Sequence, residues 1–123
     1  MDTRAPHHPA TGRAERIVAW VLAVSYWVGV PIAVAMEYRT GFMSARFGFP
    51  PAFVYAVSAA QFVLAAGLLV PRFLVASGVA LTVITLGAVA SHLRIGSPLT
   101  ALPALAYTLV QLWLIFRARR PGH

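Results

Sequence analysis

The chain has 123 residues, 59% of them hydrophobic and only 11% charged, whereas about a quarter of the residues of an ordinary soluble domain are charged, so this composition excludes one. The chain contains no cysteine, which excludes disulfides, thiolate ligands and iron–sulfur clusters. The formal net charge of +7 comes from arginines that flank apolar stretches, where they orient a membrane chain, so we expect no nucleic acid partner.

Four apolar segments follow one another along the chain, each near the length of about 20 residues that a helix needs to cross a bilayer. They are predicted at residues 17–36, 52–70, 73–90 and 99–116. We therefore predict an all-α fold, an integral membrane four-helix bundle over residues 13–120, preceded by a disordered tail over residues 1–12. A rival interpretation takes the first segment as a cleaved secretory signal, but its apolar run is longer than a usual signal core.

The arginines predict the orientation of these segments, because basic residues favour the cytoplasmic side. Seven lie on one side and three on the other: Arg4, Arg13, Arg16, Arg72, Arg117, Arg119 and Arg120 against Arg39, Arg46 and Arg94. Both termini are therefore predicted to be cytoplasmic. Aromatic residues near the segment ends predict belts at the bilayer boundary: Trp20, Tyr26, Phe49, Tyr55 and Trp113.

Three further features concern the shape of the bundle. Residues 37–49 are too polar to span and too aromatic for a free loop, so we predict that they lie along the outer interface, with a flexible connector as the alternative. Pro31 and Pro103 lie inside predicted helices and predict kinks. Small residues such as Gly29, Gly78 and Gly87 predict close helix packing, or the interface of a homo-oligomer.

Polar residues at the segment ends are the first candidates for function. Four lie at the outer ends of the first and third segments: Glu37, Arg39, His92 and Arg94. Brought together, they could bind a quinone carbonyl, an anionic head group or a small acid, with His92 or Glu37 relaying a proton. The alternative is a network of salt bridges that fixes the helix ends. We predict no metal site, because only one histidine lies near the membrane and further ligands are missing.

Polar residues also lie inside the segments. Gln61 is near the middle of the second segment, and Tyr107 and Gln111 lie on one face of the fourth. With Thr82 and Thr85 of the third segment they could line a narrow polar cavity. The alternative is that they bridge the helices by hydrogen bonds.

Three stretches of sequence together resemble the DoxX-like family of small four-helix bacterial membrane proteins. They are FGFP at residues 47–50, LVPR at 69–72 and LGAVASHLRIG at 86–96, and the likeness extends over residues 15–117. The resemblance implies a bundle in the bacterial inner membrane, related to subunits linked with thiosulfate and quinone oxidoreduction. It also implies motif positions at Gly48, Pro50, Pro71, Gly87 and His92.

Two departures from the family pattern weigh against catalysis by this chain alone. Many relatives carry Gly and Lys near the end of helix one and an acidic residue within helix two. Here helix one ends in MEYR at residues 36–39, and Gln61, which cannot relay a proton, lies mid-helix in the second segment.

The resemblance and the composition lead to one functional prediction with two alternatives. We predict an accessory or quinone-associated subunit of a redox or stress-response assembly, with no cofactor held by the chain itself and a quinone as candidate ligand. Besides the lipid bilayer, a membrane protein or a second copy is its expected partner. The alternatives are a small-solute transporter or permeability factor, and a purely structural scaffold.

Overall fold

The computed structural model describes residues 12–119, and within that range it contains helices and no strand, which confirms the all-α prediction. The five helices are α1 (Arg13–Thr40), α2 (Phe42–Phe47), α3 (Pro51–Gly67), α4 (Leu74–Arg94) and α5 (Leu102–Arg119). Short 3₁₀ turns, Pro71–Phe73 and Pro98–Ala101, precede α4 and α5. Of the predicted tail, residues 1–11 lie outside the described range, as does Arg120.

Three helical segments are long and apolar enough to cross a membrane: Arg13–Thr40, Pro71–Arg94 and Pro98–Arg119. The fourth long helix, α3, has 17 residues and is therefore about 25 Å long, which is less than the hydrocarbon thickness of about 30 Å. The fourth crossing, predicted over residues 52–70, stays a prediction.

The four long helices form a closed ring in which α1 packs against α3 and α5, and α4 packs against the same two helices. Leu22, Leu68, Leu81 and Leu114 are buried at its centre. The helices alternate in direction. One end of the bundle, here called the terminal end, holds the start of α1 and the finish of α5, and the other, here called the α2 end, holds α2.

The predicted close packing through glycine holds at one position and not at two others. A Cβ at Gly78 would lie 2.9 Å from Ile115 Cγ1, so α4 and α5 approach closely there. A Cβ at Gly29 or Gly87 would meet nothing within 4 Å. These two glycines therefore do not pack against another helix of the chain.

Several predicted boundaries and positions need correction. Helix α1 continues to Thr40, and residues 42–47 form α2, so residues 37–49 are not one interfacial segment. Helix α5 begins at Leu102, which places Pro103 in its first turn, where a missing N–H costs nothing. Pro31 does lie inside α1. Tyr26 lies in the middle of α1 and is 5% exposed, so it belongs to the core and not to an interfacial belt.

Candidate functional site

Helix α2 is a short cover at the α2 end, bounded by two sharp turns. Gly41 and Gly48 have φ of 64° and 76°, a left-handed conformation that glycine adopts without a steric penalty. This explains the predicted motif position at Gly48. Pro50 then caps α3, whose first residue is Pro51.

Glu37 holds the start of α2. Its Oε1 accepts hydrogen bonds from the backbone N–H groups of Met43 and Ser44 at 2.8 and 3.0 Å, and its Oε2 accepts one from Ser44 Oγ at 2.6 Å. A carboxylate in this position satisfies the unpaired amides of a helix start and interacts favourably with its dipole.

Arg94 holds the other end of α2. Its Nη2 donates a hydrogen bond of 2.6 Å to the backbone carbonyl of Phe47, and its guanidinium lies 5.9 Å from the centre of the Phe49 ring. Glu37 and Arg94 thus fix the two ends of one helix. Among residues 12–119 the structure pairs none of the four predicted end residues with another of them, and Arg39 is exposed.

His92 contacts the turn that precedes α5. Nδ1 lies 2.7 Å from Thr100 Oγ1, and the Thr100 hydroxyl lies 2.8 Å from the backbone carbonyl of Ser97, which can only accept. Thr100 Oγ1 also lies 2.9 Å from Ser97 Oγ and accepts from Arg46 Nη2 at 3.4 Å, so the tautomer of the imidazole determines which ring nitrogen donates. In the tautomer protonated at Nδ1, Nε2 is left as an acceptor.

A groove of about 430 Å³ lies between α3 and α4, covered at the α2 end by α2 and the loop after it. We call it the lateral groove. Phe53 and Val83, at its sides, are 49% and 65% exposed, so the groove opens sideways onto the outer surface of the bundle. Its lining is apolar except for four residues: Ser58 and Gln61 of α3, and Ser91 and His92 of α4.

The four polar residues fall into two pairs at opposite ends of the lateral groove. From His92 to Val83 the α4 wall is about 14 Å long, at 1.5 Å per residue. Because α3 runs the other way, Ser58 and Gln61 lie toward the deep end. The Ser91 hydroxyl donates to the Gly87 carbonyl at 2.8 Å, whereas the Gln61 amide has no hydrogen-bond partner within the described chain.

Three phenylalanine rings and the imidazole form the outer wall of the groove. Phe47 meets His92 edge-on, with ring centres 4.9 Å apart, and stacks with Phe49 at 5.9 Å. Phe49 in turn lies 5.0 Å from Phe53. Such a wall offers a planar apolar ring both faces and edges to pack against.

A second polar group lies between α1, α4 and α5, and its members bond to one another. We call it the polar belt: Tyr26, Thr82, Thr85, Thr108 and Gln111. The Tyr26 hydroxyl donates to Gln111 Oε1 at 2.5 Å, and Gln111 Nε2 donates to Thr85 at 3.2 Å and to Thr82 at 3.5 Å. Both threonine hydroxyls then donate to carbonyls of α4. Gln111 is fully buried and bridges helices, and it is not among the residues that line the lateral groove.

Tyr107 lies beside the polar belt but lines a different cleft from Gln61. Its hydroxyl donates to Ser25 Oγ at 2.7 Å, and its ring lies 5.0 Å from that of Tyr26. The cleft, of about 330 Å³, lies between α1 and α5. From the sequence, Gln61 and Tyr107 could line one polar cavity. In the structure they line two separate spaces.

Sequence reasoning missed two sets of partners for different reasons. Met43 and Ser44 lie six and seven residues after Glu37, with Gly41 between them, and this local arrangement could have identified the cap. Tyr26 and Gln111 are 85 residues apart, and no pattern in either segment indicates their pairing.

The fold and its apolar exterior define a multi-pass helical membrane protein. A profile of the DoxX-like family matches residues 17–115, so the chain belongs to the DoxX-like family. The resemblance seen in the sequence is thereby confirmed. Comparison with curated proteins and with solved structures gave no match.

Proposed function

We propose that this protein binds the ring of a lipid-soluble quinone or quinol in the lateral groove, as an accessory subunit of a redox or stress-response assembly. It would cross the bacterial inner membrane four times, with both termini in the cytoplasm. The observation that carries the proposal is an aromatic-walled groove with hydrogen-bonding groups at both ends, open at its side.

The polar groups of the lateral groove suit a ring that carries oxygens at opposite ends. At the α2 end, Nε2 of His92 can accept a hydrogen bond from a quinol hydroxyl. At the deep end, the Gln61 amide can donate to a carbonyl or accept from a hydroxyl. Pockets for small ligands are mostly apolar with a few placed polar groups, and 300–1,000 Å³ is roughly their usual volume.

The sideways opening suits a ligand that arrives from the hydrocarbon. Phe53 and Val83 border that opening, and both would face lipid tails. An isoprenoid tail would then remain in the bilayer while the ring enters the groove. In the tautomer with its proton on Nδ1, the neutral imidazole presents Nε2 as the acceptor that this scheme requires.

The role of accessory subunit rests on the composition of the chain. Without cysteine it has no thiolate for an iron–sulfur cluster, and it has one histidine near the predicted spans. Electrons that leave or enter the bound ring would therefore pass through a partner protein.

The direct test is binding of a short-tailed benzoquinone and its quinol to the protein in lipid nanodiscs, measured by titration calorimetry. We expect binding of the quinol, weakened about tenfold in His92→Leu and in Gln61→Leu, since each loses one hydrogen bond to the ring. Tyr107→Phe is the matched control, because it removes a hydroxyl from the other cleft. Absence of binding, or equal weakening in Tyr107→Phe, would overturn the proposal.

A further inference from the structure

The terminal end of α1 carries a second set of clefts, on a different helix pair from the lateral groove. Arg13, Arg16 and Trp20 follow at spacings of three and four residues and so share one face of α1. A cleft of about 220 Å³ separates that face from the turn between α3 and α4, where Leu69 and Pro71 line it. A shallower cleft of about 550 Å³ is formed by side chains of α1 alone, and Arg16 and Trp20 line both clefts.

The charge at this end is strongly positive. Five described arginines lie here: Arg13, Arg16, Arg72, Arg117 and Arg119. Among residues 12–119 the one acid at this end is Glu15, which is 2% exposed and forms an ion pair with Arg117 at 3.0 Å. Glu15 is thus directed toward α5, and it does not neutralise the outward face of Arg13 and Arg16.

We propose that one anionic phospholipid binds astride Trp20, with its phosphate between Arg13 and Arg16 and an acyl chain in each cleft. Arg16 lies one helical turn, about 6 Å, beyond Trp20 toward the terminal end. This is the vertical order of phosphate and upper acyl chain in a bilayer leaflet, and tryptophan is typical of that boundary. Basic pockets between membrane helices bind such head groups.

The two parts of the site select different parts of the ligand, which separates a lipid from other sources of phosphate. Free phosphate would meet the guanidinium groups but gain nothing from the apolar side chains of Trp20, Leu69 and Leu74, which line the first cleft beside Arg16. A zwitterionic phospholipid would fill the clefts but would bring its own cation beside Arg13 and Arg16. An anionic phospholipid satisfies both, and its binding does not depend on the lateral groove.

Native mass spectrometry of the full chain in detergent tests this inference. The ligands are phosphatidylglycerol, phosphatidylcholine and glycerol phosphate. We expect one phosphatidylglycerol to bind at least tenfold more tightly than phosphatidylcholine, and no retained glycerol phosphate. The double variant Arg13→Gln/Arg16→Gln should bind phosphatidylglycerol about thirtyfold more weakly, since each basic residue near an anionic surface adds about a fivefold factor.

The matched control is Arg39→Gln/Arg119→Gln, which removes two charges from outside the clefts. It should weaken binding less than about threefold, because distant charges are screened. Trp20→Ala, which joins the two clefts, should weaken phosphatidylglycerol about tenfold through lost apolar contact. Equal binding of both phospholipids, equal weakening by both double variants, or retention of glycerol phosphate would each overturn the inference.

Discussion

The lateral groove and the polar belt each contain a glutamine near the middle of a helix, and the two glutamines have opposite surroundings. Gln111 is fully buried and bonded to Tyr26, Thr82 and Thr85. Gln61 borders a groove and has no partner within the described residues. Polar groups in hydrocarbon are costly, so a satisfied one stabilises the bundle, whereas an open one is a candidate contact for a ligand.

The polar belt and the lateral groove also differ in how their polar side chains are hydrogen-bonded. In the polar belt the hydroxyls of Thr82 and Thr85 donate to carbonyls of α4 and accept from Gln111 Nε2. In the lateral groove, the tautomer of His92 decides whether Nε2 accepts. The polar belt lies where α4 packs on α5, whereas Ser91 and His92 line the groove between α4 and α3.

The largest expected effect concerns the stability of the bundle. Gln111→Leu should lower the free energy of unfolding by about 2 kcal/mol, because it leaves the Tyr26 hydroxyl buried without an acceptor. Gln61→Leu should change it by less than about 0.5 kcal/mol. Unfolding in mixed micelles, followed by circular dichroism, measures both. Equal losses would abolish the distinction between the two regions.

A slightly smaller effect is expected when the groove is filled. Gly87→Leu places a side chain where the structure has open space, so it should block the groove without disturbing the helix. Quinol affinity should fall at least about tenfold. Gly29→Leu is the matched control, since Gly29 is an equally open helical glycine away from the groove. The two variants should unfold alike, and a loss of affinity in both would contradict the assignment.

The cover of the groove can be loosened at Glu37. In Glu37→Gln the amides of Met43 and Ser44 lose a charged acceptor, and their hydrogen exchange should become about fivefold faster.

Arg39→Gln, which alters an exposed charge two residues away, serves as the control and should leave exchange unchanged. Equal exchange in Glu37→Gln and in the unaltered protein would show that Glu37 is not the cap.

Much of the fold follows from the sequence, because apolar length and proline positions are local signals. The second segment, predicted from residue 52, begins as α3 at Pro51, whereas the helix α2 within residues 37–49 was not predicted. The ends of α1 and α4 were placed several residues too early, because polar residues such as Glu37 and His92 interrupt the apolar pattern but not the helix.

The candidate site was predicted only in part. His92 and Gln61 were named separately from the sequence, and the packing of α3 on α4 brings both to one groove. Glu37 was expected beside His92 and instead caps α2, because a helix start six residues away offers it three donors. Which glutamine is satisfied depends on tertiary packing, which has no local signature.

The most direct measurement is photoaffinity labelling with a short-tailed quinone analogue that carries a diazirine on its ring, followed by peptide mapping. We predict labels on α3 between Phe53 and Gln61 and on α4 between Val83 and His92, with competition by unlabelled quinol. Labels concentrated around Tyr107 in the cleft between α1 and α5, or labels that quinol does not displace, would contradict the assignment of the lateral groove as the binding site.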